Sequence, residues 1–556
     1  MYLCNRKMPN GVIGNTTDSG SVKSRFEPWL GNMTNKKSFL SIFLALIVAV
    51  LFTSCDKAKK IFSSNFVYLE DNVFKINDEI FFPLMLNYKV DVRKIGNDVV
   101  ISPARYYEND KIFESNTKAK INRQFSNHIK LMRELGFNTI RICLDVVGKD
   151  ENGVYFSSPE GAIYLKEYQE EINDGIAKML NIVKSHDMKA MLLLKPPFDK
   201  EVEDFCISVF KRFSNNPTIF AYDLMNEPLY FDTEPDRTKK DAVKIVTHWK
   251  NLLSQYSPKH LFTIGFSEPI EVFEWDPAIL PVDFVQIHTY HPLRIPNEIW
   301  WYDNYVGKPW MIGETALPSD NDSISYDLQA HFVKEVYQYI IDCGGIGFGW
   351  WEFQDHINPG LNFEANYPGL LNHDGITTTQ SGKEIIGTLK PAAYEFAKLR
   401  QLKPGKAVRP VNYFNMLGYE NYAIKGKIMN GNKPIEGAVI RGWNQSWKVG
   451  MNTYSDENGE FTLYSNDSCV HFEISAPGMT KVKFSSDKLN LKYKRVDGKE
   501  HDFSDLENIE LEYHKISFYP FIKNDTTLLD FKEEMFNRIK FEADMGVKTL
   551  ENLTKL

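Results

Sequence analysis

The sequence predicts an α/β fold, a (β/α)8 TIM barrel over residues 65–405, followed by a small all-β sandwich over 420–513. Three observations predict it. Eight runs in the first region are near-continuously apolar, as strands buried on both faces must be. Helical periodicities separate most of them. After Leu402-Lys-Pro-Gly the pattern changes to short strands bounded by turns. A doubly wound open sheet would instead carry a Gly-rich phosphate turn after an early strand, and the sequence has none.

Taken in order, the chain begins with residues 1–32, upstream of Met33-Thr-Asn-Lys-Lys. That pentapeptide reads as a well-formed start, so the stretch before it is expected to be a misplaced one. Lys36-Lys37, the apolar run Phe39 to Phe52, and Thr53-Ser54-Cys55 have the layout of a signal peptide. The run is shorter than the ~20 residues of a spanning helix. Residues 33–55 resemble a bacterial lipoprotein signal. The resemblance implies lipidation of Cys55, a tether over 56–64, and an exported protein anchored by lipid to the membrane of the bacterial cell envelope.

Phe66-Val-Tyr-Leu and Val73-Phe-Lys-Ile-Asn-Asp predict a hairpin across the barrel base. The eight runs then begin at Phe82, Asn138, Ala190, Ile219, His260, Asp283, Pro309 and Gly345. Between Ile121 and Leu135 apolar residues recur near a 3.6 period, and the same holds over Ile172–Val183, Ala242–Leu253 and Leu328–Ile341. The long segment from Tyr88 to Thr117 is an insertion that could wall off part of a cleft.

Composition narrows the function. A hydrophobic content of 43% supports a large core, and the net charge of −8 with no basic block argues against a nucleic-acid partner. Aromatic residues make up 13% of the chain, and ring burial accounts for most of them. Six cysteines match neither a metal motif nor a dense disulfide framework, and Cys143 and Cys343 read as small core residues.

In a parallel barrel the chemistry sits at the C-terminal strand ends. That rule selects Asn87, Arg141, Lys195, Asn226, Glu227, Glu268, His288, Tyr290, Glu314, Trp350 and Trp351. Glu227 ends the fourth run and Glu314 the seventh. Two carboxylates on one rim are what retaining glycoside hydrolysis requires, one as nucleophile and one as proton donor. Glu268 and Glu352 also follow strands but match no catalytic position. His288 and His291 are spaced i, i+3 without a carboxylate partner in suitable register, so no metal and no cofactor is expected.

Asn226-Glu227-Pro228, Ile312-Gly-Glu314, His288-Thr-Tyr290, Arg141 and a tryptophan after the eighth run resemble glycoside hydrolase family 5, of clan A, over residues 65–405. The resemblance implies Glu227 as acid/base and Glu314 as nucleophile. It places Asn226, Arg141, His288, Tyr290, Trp351 and Trp350 around a poly- or oligosaccharide, with Trp351 aligning better as the stacking platform. Alternation allows only one of the two tryptophans to face the barrel axis. The expected activity is cleavage of β-mannan or β-glucan through a covalent intermediate. The alternatives are a non-catalytic glycan-binding lipoprotein and a transglycosylase using the same glutamates. After the third run this chain has Lys195-Pro-Pro-Phe-Asp where many cellulases of the family carry a histidine, which counts against cellulase activity.

The segment 420–513, with Gly437-Ala-Val and Ser455-Asp-Glu-Asn-Gly-Glu-Phe, resembles the carboxypeptidase regulatory-like, transthyretin-type module. Its expected role is to space or brace the enzyme. Trp443 and Trp447 are expected in the framework rather than on sugar. Residues 516–556 end in a predicted amphipathic helix carrying Leu529, Met535, Phe536 and Ile539.

Overall fold

The structure is a computed structural model. It describes residues 65–501 except 96, 104–117, 145–146, 151–152, 157–168, 195–197, 199, 233, 235–236, 357–362, 411–421, 431–432, 445–449, 466–468, 486–492 and 495–499. Cys55 with its signal, Lys195, Trp447 and the segment 516–556 therefore lie outside the described residues.

Three short strands come first, β1 (Tyr68–Glu70), β2 (Val73–Ile76) and β3 (Glu79–Ile80), paired antiparallel. The predicted hairpin is β1–β2. Phe74 of β2 meets Phe220 and Phe284 edge-on, with ring centroids 4.8 and 4.9 Å away. With Met85, Met191 and Met311 these rings form an apolar plug at the barrel base.

All eight predicted runs are strands. The first is β4 (Leu84–Ile95), which extends past the rim and turns back as β5 (Asp98–Pro103). After β6 (Thr139–Leu144), a hairpin of β7 (Val147–Asp150) and β8 (Gly153–Phe156) pairs with the same extension. The remaining barrel strands are β9 (Lys189–Leu193), β10 (Ile219–Asn226), β11 (Leu261–Phe266), β12 (Val285–His288), β13 (Trp310–Glu314) and β14 (Phe348–Trp350). Each pairs parallel with the next, and β14 pairs parallel with β4, which closes the ring. The insertion after the first run thus begins as an antiparallel wing on the first barrel strand.

Around the ring lie α1 (Lys118–Glu134), α2 (Gln169–Ser185), α3 (Lys200–Phe213), the short α4 (Pro228–Phe231), α5 (Lys239–Tyr256), α6 (Ile295–Tyr305) and α7 (Tyr326–Asp342). Four of them answer to the predicted periodicities; α3, the short α4 and α6 are additional. Thr238 caps α5 by accepting from the Asp241 amide, and Ser325 caps α7 by accepting from Leu328. Such caps contribute about 1 kcal/mol each. Strand alternation sends Leu84, Leu86 and Tyr88 outward into the core beneath the helices, leaving Asn87 on the inner side. Cys143 and Cys343 are buried thiols outside any disulfide among the described residues, as expected of core residues.

After β14 come the hairpin β15 (Ile376–Thr378) and β16 (Glu384–Ile386), then the module. The module comprises β17 (Tyr422–Lys427), β18 (Met429–Asn430), β19 (Lys433–Pro434), β20 (Val439–Asn444), β21 (Gly450–Tyr454), β22 (Glu460–Ser465), β23 (Cys469–Ser475) and β24 (Val482–Ser485). These form small antiparallel sheets around a separate core containing Ile440, Met451, Leu463 and Phe472. Trp443 is buried at 2% exposure under the Arg441 guanidinium, a framework residue as expected.

The module docks on the barrel. The Trp301 indole donates to Gly437 O at 2.8 Å, Lys239 Nζ to Ala476 O at 3.0 Å, and the Gly478 amide to Asp276 at 2.7 Å. Gly437 has φ +74°, and a Cβ there would lie 2.4 Å from the Tyr305 ring, so both backbone and contact require glycine. Among the described residues, no helix is long and apolar enough to cross a membrane.

Candidate active site

The two glutamates reach the barrel mouth through irregularities in their strands. Between β10 and β11, Asp223 pairs with Thr263 but Asn226 pairs with Gly265, so β10 carries one extra residue. Between β12 and β13, Ile287 pairs with Ile312 but His288 pairs with Glu314, and β13 carries the extra residue. An extra residue reverses the side to which the following side chains point. Simple alternation would put Glu314 on the same side as Ile312, in the outer core. The bulge turns it inward.

Gly313 shares that inward position. A Cβ on it would lie 2.7 Å from Gln286 Oε1 and 2.8 Å from His288 Nε2. One on Gly265 would lie 2.4 Å from the His288 ring. The two glycines open the space that the imidazole fills.

Glu227 follows the first bulge with φ 40° and ψ 73°, the left-handed region. A side-chain-bearing residue there costs about 1–3 kcal/mol and persists only when its surroundings hold it. The Glu227 amide donates to Gly265 O at 2.8 Å, and its carbonyl accepts from the Tyr230 and Phe231 amides of α4. Farther along, the Leu229 amide donates to Glu271 Oε1 at 3.1 Å and the Tyr230 hydroxyl to Glu268 Oε1 at 3.0 Å. Glu268 also accepts from Arg294 at 2.6 Å. It serves as an anchor for the loop after Glu227, consistent with its exclusion from the catalytic pair.

Arg141 is the hub behind the site, with 0% exposure. Its Nε donates to Asp223 at 2.8 Å, Nη2 to Asn226 Oδ1 at 2.9 Å, and Nη1 to Asn87 Oδ1 at 2.9 Å and to Glu314 Oε1. Asn87 in turn donates to Gly313 O at 2.9 Å and Trp350 O at 3.0 Å, tying the bulge to the eighth strand. Arg141 was expected among the substrate contacts. The structure places its guanidinium with no exposure, engaged by four side chains, where it holds Glu314 and Asn226 from behind. Because arginine only donates, Asn226 must turn its oxygen toward Arg141, which leaves its NH2 group for other acceptors.

His288 joins the glutamates. Its Nδ1 lies 3.0 Å from Glu227 Oε1 and 3.5 Å from Glu314 Oε1. One oxygen of each carboxylate and a His288 nitrogen all lie within 4.8 Å of one another. The Tyr290 hydroxyl donates to Glu314 Oε2. Three such ligand atoms could hold a metal ion. The sequence expectation that His288 has no carboxylate partner is therefore corrected, since partners arrive from two other strands. Arg141 already supplies a fixed cation to Glu314, with which a metal would compete.

The two carboxyl groups are electrostatically opposite. Burial pushes Glu227 above the usual carboxylate range; the Glu314 charge adds to this, while His288 and Arg141 oppose it. Burial also acts to raise Glu314, but His288 and Arg141, with hydrogen bonds from Tyr290 and Arg141, outweigh it and hold Glu314 below that range. Tyr290 is held well above its ordinary value by burial first and then by Glu314, so it remains a donor.

The tryptophans separate as alternation demands. Trp350 has 0% exposure, lies edge-on to Phe332 and Phe396, and donates to Pro368 O at 3.1 Å. Its place among the substrate contacts is corrected: it belongs to the outer core. Trp351 is half-buried with Lys89 Nζ 4.7 Å from its ring centroid. Glu352 is buried and paired with His356 at 3.0 Å, and so is occupied.

Sequence reasoning missed Asp223 and Glu271 and noted Asn87 only as a rim residue. Asp223 had a signal, a charge inside an apolar run. Glu271 had none. Burial pushes its carboxyl well up despite hydrogen bonds from Leu229 and Ser267.

No protein-family model matches the sequence, and no curated protein matches it. Among solved structures, the chain is similar to an exo-β-1,4-mannosidase from Opitutaceae bacterium strain TAV5, at 15% identity and TM-score 0.41, covering 61% of this chain and 61% of that one. It is similar to an endo-1,4-β-mannanase from Rhizomucor miehei at 14% identity and TM-score 0.36, covering 52% and 90%. It is also similar to an endo-β-1,4-mannanase from Thermotoga petrophila at 16% identity and TM-score 0.38, covering 74% and 98%. The chain thus matches about three-fifths of the mannosidase's length. Likenesses this distant assign it neither family nor substrate.

Proposed function

We propose that the protein is a retaining β-glycoside hydrolase. One observation carries the reading. One oxygen of Glu227 and one of Glu314 lie within 4.8 Å of each other beside His288, and the proton affinities of the two carboxyl groups are displaced in opposite directions. Retaining enzymes place their carboxyl groups about 5–5.5 Å apart, and inverting ones about 6.5–9.5 Å, to admit a water.

In this reading an ionised Glu314 oxygen attacks the anomeric carbon while Glu227 gives its proton to the departing glycosidic oxygen. The carbon–oxygen bond to the leaving sugar breaks as the ester to Glu314 forms. Loss of the Glu314 charge removes one cause of Glu227's raised proton affinity. Glu227 then takes a proton from water, whose oxygen attacks the same carbon and releases Glu314. Asn226, its oxygen held by Arg141, directs its NH2 to the sugar 2-hydroxyl, a contact that strengthens in the oxocarbenium-like transition state. Trp351 stacks against the sugar.

The substrate class, β-mannan or β-glucan, rests on the resemblance carried by Asn226-Glu227-Pro228 and Ile312-Gly-Glu314. A panel of mannan, mixed-linkage glucan, cellulose and aryl β-glycosides tests it, with proton NMR of the first-formed anomer. Retained β-configuration is expected. Inversion, or no hydrolysis across the panel, would remove the proposal. The lipid anchor rests on sequence alone; labelled fatty acid should enter the full chain and be lost in Cys55→Ala.

A further inference from the structure

The catalytic reading leaves one large cleft unused. About 910 Å³ in volume, it lies between the barrel rim at Pro269, Asn297 and Glu298 and the edge of the module where β21 turns into β22. Ligand sites occupy roughly 300–1,000 Å³.

The lining follows from strand alternation. In β21, Met451 goes to the module core while Asn452 and Tyr454 stay partly exposed. In β22, Phe461 and Leu463 are buried while Thr462 and Tyr464 stay partly exposed. Lys425 stands opposite Thr462 across the β17–β22 ladder. All five line the cleft. The Tyr454 ring is held between Tyr305 and Arg409, at centroid distances of 6.0 and 5.2 Å. Asn452, Thr462, Tyr464 and Lys425, by contrast, have no side-chain hydrogen bond to another described residue.

The charge balance selects the ligand class. Three basic and four acidic side chains line the cleft, a near-neutral mixture of donors and acceptors. A phosphate or nucleic-acid ligand needs a basic excess, and a lipid needs an apolar lining. A neutral polyhydroxylated chain uses both kinds of hydrogen-bonding group and stacks its ring faces on tyrosine. We infer that this cleft is a second glycan-binding site, built jointly by the module and the barrel and separate from the catalytic pair. It would hold a neutral segment of a polysaccharide. The identity of that polysaccharide rests on the proposed function; the existence of the cleft does not.

The test uses the full chain carrying Glu314→Gln, which stops turnover, and measures sedimentation with insoluble mannan, cellulose and mixed-linkage glucan. Adding Tyr464→Ala with Asn452→Ala should weaken binding to at least one polymer by about tenfold. Thr462→Arg, which fills the cleft without entering the core, should do the same. In the Glu314-containing enzyme both changes should leave aryl-glycoside hydrolysis unaltered, which also reports correct folding. Polymer binding unchanged within about twofold in both variants would overturn the inference. Failure of the catalytic reading shows separately, as absent hydrolysis by the unmodified protein.

Discussion

Glu314 stands opposite His288 in the ladder between the sixth and seventh barrel strands, one residue out of the alternation set by Ile312 and Ile287. That offset brings the proposed nucleophile onto the inner face. It also places His288 Nδ1 3.5 Å from Glu314 while the same atom contacts Glu227. The geometry of the pair depends on the bulge.

The pH profile should be bell-shaped. Activity requires Glu314 ionised, so it rises with pH through a Glu314 value lowered by His288 and Arg141 in excess of its burial. It also requires Glu227 protonated, so it falls as pH passes a Glu227 value raised chiefly by burial. Tyr290→Phe removes a hydrogen bond that favours ionised Glu314, and should move the acidic limb of kcat/KM to higher pH. An unmoved acidic limb would reject that role for the tyrosine.

Gly265→Ala should disable the site while leaving the fold. Its Cβ would lie 2.4 Å from the His288 ring, so the imidazole must leave the carboxylates. Overpacking of this kind costs about 1–3 kcal/mol in stability. Kcat should fall by about 100-fold, as misplaced catalytic geometry does. Wild-type kcat in a folded variant would show that His288 does not organise the pair.

Trp350 and Trp351 should give opposite phenotypes. Trp350→Ala removes a fully buried indole and should cost about 3–5 kcal/mol of stability, read by denaturant unfolding. Trp351→Ala should leave stability nearly unchanged and raise KM for oligosaccharides. Equal effects on both readouts would contradict their assignment to opposite sides of the strand.

Lys390 is buried and donates to Asp355 at 2.8 Å, Ser319 O at 2.8 Å and Tyr367 O at 3.1 Å. Lys390→Met strands the carboxylate and should cost about 3–5 kcal/mol. Burial raises Asp355 to about 6 even against Lys390, above its unfolded value of about 3.9. A raised folded value favours the fold fully at low pH and loses that contribution as pH rises through it. The variant's deficit should therefore be smaller near about pH 4 than near about pH 8. A deficit independent of pH would mean that the lysine acts through packing alone.

Much of this protein was legible in residue order. The eight apolar runs were readable because a strand buried on both faces has no polar side to show, and the Asn226-Glu227 and Gly313-Glu314 pairs stood out at their ends. Four helices declared themselves by period. Residue order also carried the layout of the glutamates, one on the fourth strand and one on the seventh.

Side-chain direction at those ends was decided only by the tertiary structure. Alternation is local, but a bulge is a mismatch between two strands, and whether Glu314 faces inward depends on how β13 pairs with β12. The same holds for Arg141, whose four partners come from three other strands and whose burial makes it a support for the site. It holds too for Trp350, sent outward into the core while its neighbour remains at the rim. Sequence determined which groups the barrel carries; long-range register determined which of them meet, because only paired strands set the distance between side chains far apart in the chain.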